Sequence, residues 1–281
     1  MTVSELKKEL VSQLTPEAGA GEAVATVRLL LEDTLGVSAV DLALNPGREL
    51  LDGTVTTLRA MASKIAEGEP VQYLLGHTSF AGLDIRVTPA VLIPRPETAE
   101  LVDIICDRYS RISGLSVLDL CTGSGCIAIA LARSLPFSDV TAVDNSEAAL
   151  DVARDNARRL NLSIGFRNED VLHLTTAPAQ YDIIVSNPPY VAISEKSDMD
   201  KRVYEHEPAA ALFVPDSDPL LFYRAIASYA LDALKSGGTL YFEINPLFAD
   251  RLLDMLTGLG WTDVDIVRDF RGQNRFAVCR R

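Results

Sequence analysis

Apolar residues in the first 75 positions recur every three or four residues. Leu6, Leu10 and Leu14 form one such series, Val24, Val27, Leu30 and Leu31 a second, and Val55, Leu58, Met61 and Ile65 a third. This period predicts a small domain of about four amphipathic helices, each burying one face. Pro16-Glu17-Ala18-Gly19 and Asn45-Pro46-Gly47 read as turns between them. The pattern changes near residue 75. Residues 77–88 alternate, predicting a β-hairpin that turns at Ala81-Gly82 and buries Phe80, Ile85 and Val87. The string Leu92-Ile93-Pro94-Arg95-Pro96-Glu97-Thr98 follows, in which two prolines stiffen the backbone around an arginine and remove two amide donors. A helical pattern resumes over 99–110.

From about residue 115, short apolar runs alternate with amphipathic stretches. Residues 116–120, 139–144, 163–168, 181–187 and 238–244 read as strands, with helices over 125–134, 146–160, 219–235 and 247–259. Gly237-Gly238 reads as the stop of the third of these helices. The tail, Asp263–Val267 and Arg275–Cys279, reads as a closing hairpin with Gly272-Gln273 in its turn, packed by Trp261 and Phe270. Together these predict an α/β fold with a doubly wound, mostly parallel seven-stranded sheet. The expected division is a helical domain over 1–75, a hairpin and Pro-Arg-Pro linker over 76–98, and the α/β domain over 99–281. Residues 191–217 show little periodicity and are expected to form a lid or substrate-contacting loop.

Composition narrows the partners. Among 281 residues, 26 Lys and Arg face 39 Asp and Glu, a net charge of −13. That balance argues against a surface built to coat phosphates. A hydrophobic fraction of 48% excludes wholesale disorder. No apolar run approaches the roughly 20 residues of a membrane span, and the N-terminus lacks the apolar core of a signal peptide. The four cysteines have neither C-x-x-C nor zinc spacing. A reduced, cytoplasmic protein without a metal is expected, and His77, His173, His206 and Cys126 read as structural.

The candidate chemistry begins at Asp119-Leu120-Cys121-Thr122-Gly123-Ser124-Gly125, where the first strand of the α/β region turns into a helix. Gly123, Gly125 and Ala128 fit the loose dinucleotide fingerprint, with Asp144 spaced for a ribose. A nicotinamide dehydrogenase therefore competes with a methyltransferase. Asp119 favours the latter, because a carboxylate beside the turn suits the cationic S-adenosylmethionine better than a pyrophosphate. Asp144 would accept from ribose hydroxyls, and Asp170 from an adenine amino group.

Asn187-Pro188-Pro189-Tyr190 ends the strand over 181–187, where a doubly wound sheet binds ligands. The prolines fix the loop. The Asn187 side-chain oxygen and the Pro188 carbonyl could each accept from a planar –NH2 group, with Tyr190 packed on its plane. Such a nitrogen is a poor nucleophile. Alignment and accepted hydrogen bonds assist its alkylation, without a strong base. Two further readings stand beside this one: an amino-methyltransferase acting on an adenine or guanine of RNA or DNA, and a cofactor-binding protein without catalysis. Arg268, Arg271, Arg275, Arg280 and Arg281 give the only hint of a basic surface, and read as a solvated hairpin face.

The string 92–98, the turn 119–125, Asn187–Tyr190, Glu207-Pro208 with Ala211-Leu212, and Gly237-Gly238 together resemble the bacterial release-factor glutamine methyltransferases. The likeness runs from about Pro70 to the C-terminus. It implies a methyltransferase sheet, and a helical N-terminal domain that recognises substrate. The implied reaction moves a methyl group from S-adenosylmethionine, leaving S-adenosylhomocysteine. The acceptor is the side-chain amide nitrogen of the glutamine in the Gly-Gly-Gln motif of class I release factors. By matching position, Cys121, Thr122, Gly123, Ser124, Gly125, Asp144 and Asn187 would hold the cofactor, beside Asp119, Asp170 and Val171. Asn187, Pro188, Pro189 and Tyr190 would hold the glutamine, with Arg95 and Glu207 also on the substrate; Asn187, Pro188 and Tyr190 would serve the transfer itself. The chain departs from the family at Cys121, Asn245 and Pro219, where glycines are common, at Ala99, where Glu is common, and at Val171, where some relatives carry an aromatic.

Overall fold

A computed structural model describes residues 1–175 and 178–281. The chain divides into two compact units: residues 1–76 with 200–206, and residues 77–199 with 207–281.

The first unit is helical: α1 (Val3–Ala18), α2 (Ala20–Leu35), α3 (Ala39–Leu44), α4 (Asp52–Ala66) and α5 (Val71–Leu75). Thr2 opens α1 with a capping box: its hydroxyl accepts from the Glu5 amide at 3.3 Å, while the Glu5 carboxylate accepts from the Thr2 amide at 2.8 Å. Pro16 does not end this helix. It sits in the last turn, and the chain breaks three residues later at Gly19, whose amide closes on the Thr15 carbonyl at 2.9 Å. Leu6, Leu10, Leu14, Val27, Leu30, Leu31 and Leu58 meet in the core, each worth about 1.5–3 kcal/mol of burial. Val24 is exposed instead, because Ala23 occupies the inward position of that helical face.

The second unit opens with the hairpin β1 (His77–Phe80) and β2 (Leu83–Arg86), paired Phe80 to Leu83. Ala81 and Gly82 both take positive φ, as a two-residue hairpin turn matching the strand twist requires. Phe80, Ile85 and Val87 are buried. Next come α6 (Pro96–Tyr109), β3 (Ser116–Leu120), α7 (Cys126–Ser134), β4 (Asp139–Asp144), α8 (Glu147–Arg159), β5 (Gly165–Asn168) and β6 (Tyr181–Ser186). The region 191–217 is not a bare loop. Its strands β7 (Val191–Ala192) and β8 (Phe213–Val214) pair in parallel, and between them run two short 3-10 turns and α9 (Lys201–His206), which belongs to the helical unit. Such pieces are too short to leave a period in the sequence. The chain closes with α10 (Leu221–Ala233), β9 (Leu234–Glu243), α11 (Ala249–Gly258), β10 (Thr262–Arg268) and β11 (Asn274–Arg280).

The seven-stranded sheet runs β10-β11-β9-β6-β3-β4-β5, parallel from β9 to β5 and antiparallel where β11 joins β9 and β10. Two apolar clusters cover its faces, one built on α10 and α11 and the other on α6 and α7. Gly237-Gly238 does not stop a helix: α10 ends at Ala233, and both glycines lie inside β9. A Cβ on Gly238 would sit 2.9 Å from the Lys235 carbonyl oxygen and 3.2 Å from that of Asp182, so close backbone approach requires glycine there. Trp261 is buried as expected, but Phe270 is exposed, with the Arg271 guanidinium over its ring. The order reverses between β3 and β6, the switch point at which open α/β sheets bind ligands. The glycine turn leaves β3, and Asn-Pro-Pro-Tyr leaves β6.

Candidate active site

The turn after β3 is held from below by a buried carboxylate. Asp119 Oδ2 accepts from the Thr122 hydroxyl at 2.6 Å and from the Ala128 amide at 3.1 Å. Asp119 is fully buried, so desolvation pushes its carboxyl up to about 7. Cys121, Gly123 and Gly125 all take positive φ. Gly125 has little choice, since a Cβ there would lie 3.0 Å from the Ala153 Cβ. Asp144, at the end of β4, accepts from the Gly123 amide at 2.8 Å and from the Ser146 amide at 2.9 Å. Burial raises its pKa too, against those amide donors. Asn156, buried on α8, donates to the Ser124 carbonyl at 3.0 Å and to the Arg86 carbonyl at 3.0 Å, tying the turn to the hairpin. Sequence reading missed Asn156, because an asparagine in a helical pattern looks like solvated surface.

A cavity lies over this turn, with about 980 Å³ of empty space that includes open solvent at its mouth. Cys121, Thr122, Gly123, Ser124, Asp144, Val171, Asn187 and Pro189 line it on the strand-end side. Val91, Leu92, Arg95, Thr98, Ile127 and Phe222 line it elsewhere. Several expected site residues lie outside this lining. Asp119 is beneath the turn. Gly125 caps α7 and abuts α8. Asp170 accepts from the Leu172 amide at 2.9 Å and contacts His173 at 2.8 Å, which hold its carboxyl below the usual range. Glu207, expected on the substrate, is buried and turned inward: it accepts from the Arg95 guanidinium at 2.5 Å and from the Ile93 amide at 3.0 Å. That pair braces the Pro-Arg-Pro string and leaves Arg95 itself on the cavity wall. Pro188 and Tyr190 also lie outside the lining.

Asn187 stands at the end of β6, half-buried, with its Nδ2 donating to the Thr98 hydroxyl at 3.2 Å. Thr98 in turn donates to Glu243 Oε2 at 2.6 Å, and the Tyr190 hydroxyl donates to Glu243 Oε1 at 3.1 Å. Asn245 donates to the Tyr190 carbonyl at 3.1 Å. Glu243 is buried, and desolvation raises its pKa against the hydrogen bonds from Thr98 and Tyr190 and the charge of Arg275. Thr98 and Glu243 were invisible as site residues because they lie 145 positions apart. The one signal was that Thr98 closes the proline-arginine string. Burial pushes the Cys126 thiol up to about 12, so it is no nucleophile.

The cavity chemistry fits S-adenosylmethionine. An acid at a strand end suits its cationic and hydroxyl-bearing groups, and apolar walls suit its base. Ser124 lines the cavity, and its buried hydroxyl has no hydrogen-bond acceptor or donor among the described residues, a polar group that a bound ligand would satisfy.

Sheet order, glycine turn and cavity together define an S-adenosylmethionine-dependent methyltransferase of the doubly wound class. A Thermus thermophilus 16S rRNA N2 G1207 methyltransferase, solved with AdoMet and guanosine, shares the fold at TM-score 0.55, 19% identity, and coverage of 73% of this chain and 49% of its own. A Pyrococcus furiosus methyltransferase does so at TM-score 0.52 and 21% identity, covering 71% of this chain and 88% of its own. Residues 101–208 match the methyltransferase small domain, and residues 5–76 match the PrmC N-terminal domain. The release factor glutamine methyltransferase of Bacteroides thetaiotaomicron is 42% identical over 92% of this chain and 93% of its own length. That of Coxiella burnetii is 34% identical over 100% of this chain and 99% of its own. The chain belongs to the release factor glutamine methyltransferase family.

Proposed function

We propose that this protein methylates the side-chain amide nitrogen (N5) of the glutamine in the Gly-Gly-Gln motif of class I peptide-chain release factors. The observation that carries the reading is the position of Asn187: it lines the same cavity as the glycine turn, across the switch point of the sheet. A planar –NH2 group hydrogen-bonded to Asn187 would therefore lie beside the cofactor. When bound, S-adenosylmethionine supplies a methyl group activated by its positive sulfur. Thr122, Gly123, Ser124 and Asp144 would hold it, with Val171 on the base. Asp119 would act from beneath by fixing the turn.

The chain's own contribution to the reaction is alignment and charge. Asn187 and the Pro188 carbonyl accept hydrogen bonds from the substrate nitrogen, which raises its electron density and offsets the positive charge that grows as it is alkylated. The prolines hold these acceptors still, so little reorganisation is needed at the moment of transfer. The cavity wall from Val91 to Thr98 excludes water around the reacting nitrogen. The helical unit is the proposed recognition surface for the release factor, and the cytoplasm the proposed compartment. Among the described residues no helix is long and apolar enough to cross a membrane.

Methylation of a nucleic-acid base is the weaker reading. Of the C-terminal arginines, Arg275 is paired with Asp269 at 3.1 Å, Arg271 with Glu97 at 3.6 Å and Arg280 with Asp263 at 3.6 Å, which dilutes any basic groove. Incubation with labelled S-adenosylmethionine and either a release factor or ribosomal RNA tests the choice. Label is expected in the release factor, and label confined to the RNA would refute the glutamine reading.

A further inference from the structure

Asn187 is a two-faced side chain: its amide can present oxygen, an acceptor, or nitrogen, a donor, to the cavity. Which face it presents decides what the site can read. The hydrogen bonds behind it leave one answer. Glu243 is 1% exposed; although burial raises its pKa, in its ionised form, held by the two hydroxyl donors and the charge of Arg275, it only accepts. It takes the Thr98 hydroxyl proton on Oε2 at 2.6 Å and the Tyr190 hydroxyl proton on Oε1 at 3.1 Å. With its one proton spent on Glu243, Thr98 can offer Asn187 only a lone pair. Asn187 must then turn Nδ2 toward Thr98, as the 3.2 Å contact shows. The opposite orientation would set two oxygens against each other and leave a buried acceptor unpaired.

The fold places these residues without freedom to drift. In the parallel pairing of β6 with β9, Ser186 stands opposite Phe242, so Asn187 leaves β6 next to Glu243, the last residue of β9. Thr98 lies in the first turn of α6, stiffened by Pro96 at the helix start. Tyr223 donates to the Glu243 carbonyl at 3.1 Å, and the Phe276 pairing of β11 fixes the same residue from the other side.

We propose that Glu243 and Thr98 are positioning residues that lock the Asn187 oxygen toward the substrate, so that the site accepts a carboxamide and rejects the carboxylate of the same shape. This rests on the glutamine reading above and extends it: the relay sets selectivity for glutamine over glutamate. A glutamate side chain would bring acceptors to an acceptor. A site built to take a substrate N–H discriminates strongly against an analogue that lacks it.

The test measures KM and kcat for a release factor and the inhibition constant of its Gln→Glu variant, with cofactor affinity by calorimetry. The wild-type chain is expected to bind the glutamate form at least tenfold more weakly. Thr98→Val, which keeps shape and removes the hydroxyl, should bring the two forms within about threefold and lower kcat about tenfold, with cofactor affinity unchanged. Thr98→Ser, which keeps the hydroxyl, should restore the discrimination. Glu243→Gln can donate to Thr98 and so let Thr98 donate to Asn187; it should erase the preference in the same way. Full discrimination in a Thr98→Val protein that binds cofactor normally would overturn the relay alone. So would a Thr98→Ser protein that behaves like Thr98→Val. Absence of label in the release factor with the wild-type chain would overturn the glutamine reading, and the relay with it.

Discussion

The two turns that meet at the switch point are built differently. The turn after β3 is made by its backbone: three positive φ angles and amides turned onto the carboxylates of Asp119 and Asp144, tied down by Asn156. The turn after β6 is held by side chains reaching across the sheet, Thr98 from α6 and Glu243 from β9. A backbone cradle constrains where a Cβ fits and little else, so Cys121 can stand in it at a positive φ. A side-chain relay is sensitive to single hydrogen-bonding atoms. Cofactor holding and substrate reading should therefore fail separately.

The largest expected effect is on the β6 side. Asn187→Ala should lower turnover about 10²-fold or more while the dissociation constant for S-adenosylmethionine moves less than about threefold, read by single-turnover kinetics and calorimetry. Loss of cofactor binding in step with turnover would break the separation. Asp119→Asn probes the other turn through pH. The folded carboxyl titrates near 7 against a reference of 3.8, so the native state keeps its proton over a range in which the unfolded chain has lost it. Asp119 thus contributes stability that is present below about pH 4 and lost as pH rises to about 7. The asparagine variant lacks this loss. Its stability relative to wild type should improve by on the order of 3 kcal/mol between pH 4 and pH 8, seen in urea unfolding at the two pH values. A constant difference would remove the buried acid from the account.

Smaller effects sharpen the contrast within the backbone cradle. Gly125→Ala must fit a Cβ 3.0 Å from Ala153 at φ +80°, and should cost about 1–3 kcal/mol and weaken cofactor affinity. Unchanged affinity and unfolding midpoint would show that the turn yields. Cys121→Gly relieves a residue at φ 61° and should stabilise by about 1 kcal/mol, measured by thermal unfolding. A destabilised variant would mean that the side chain packs better than its backbone strains.

Elements governed by local pattern were legible in the sequence. β3 and β4 fall on the expected residues, and the Ala81-Gly82 turn follows from its chemistry. What failed was set by longer range. Pro16 reads as a break, yet the helix runs past it because a last turn can forgo one hydrogen bond. Gly237-Gly238 reads as a helix end, yet the sheet recruits both glycines for close approach to the Asp182 carbonyl. The site divided in the same manner. Asn187 and the glycine turn, which line one cavity, stood out as candidates because contiguous residues make them. Glu207 has the chemistry of a substrate ligand, and its inward pairing with Arg95 spans 112 positions that no periodicity connects.

Residues 200–206 belong to the helical unit, although the chain reaches them only from within the transferase unit. The backbone therefore passes between the units three times, after residues 76, 199 and 206. In engineering terms the helical unit is not a removable cassette. Cutting the gene after codon 76 would strand one helix on the wrong fragment and leave the other missing part of its complement. Anyone grafting this unit onto a different transferase must move two segments and preserve the spacing that rejoins the chain at Glu207, one residue past the crossing and in contact with the Pro-Arg-Pro string.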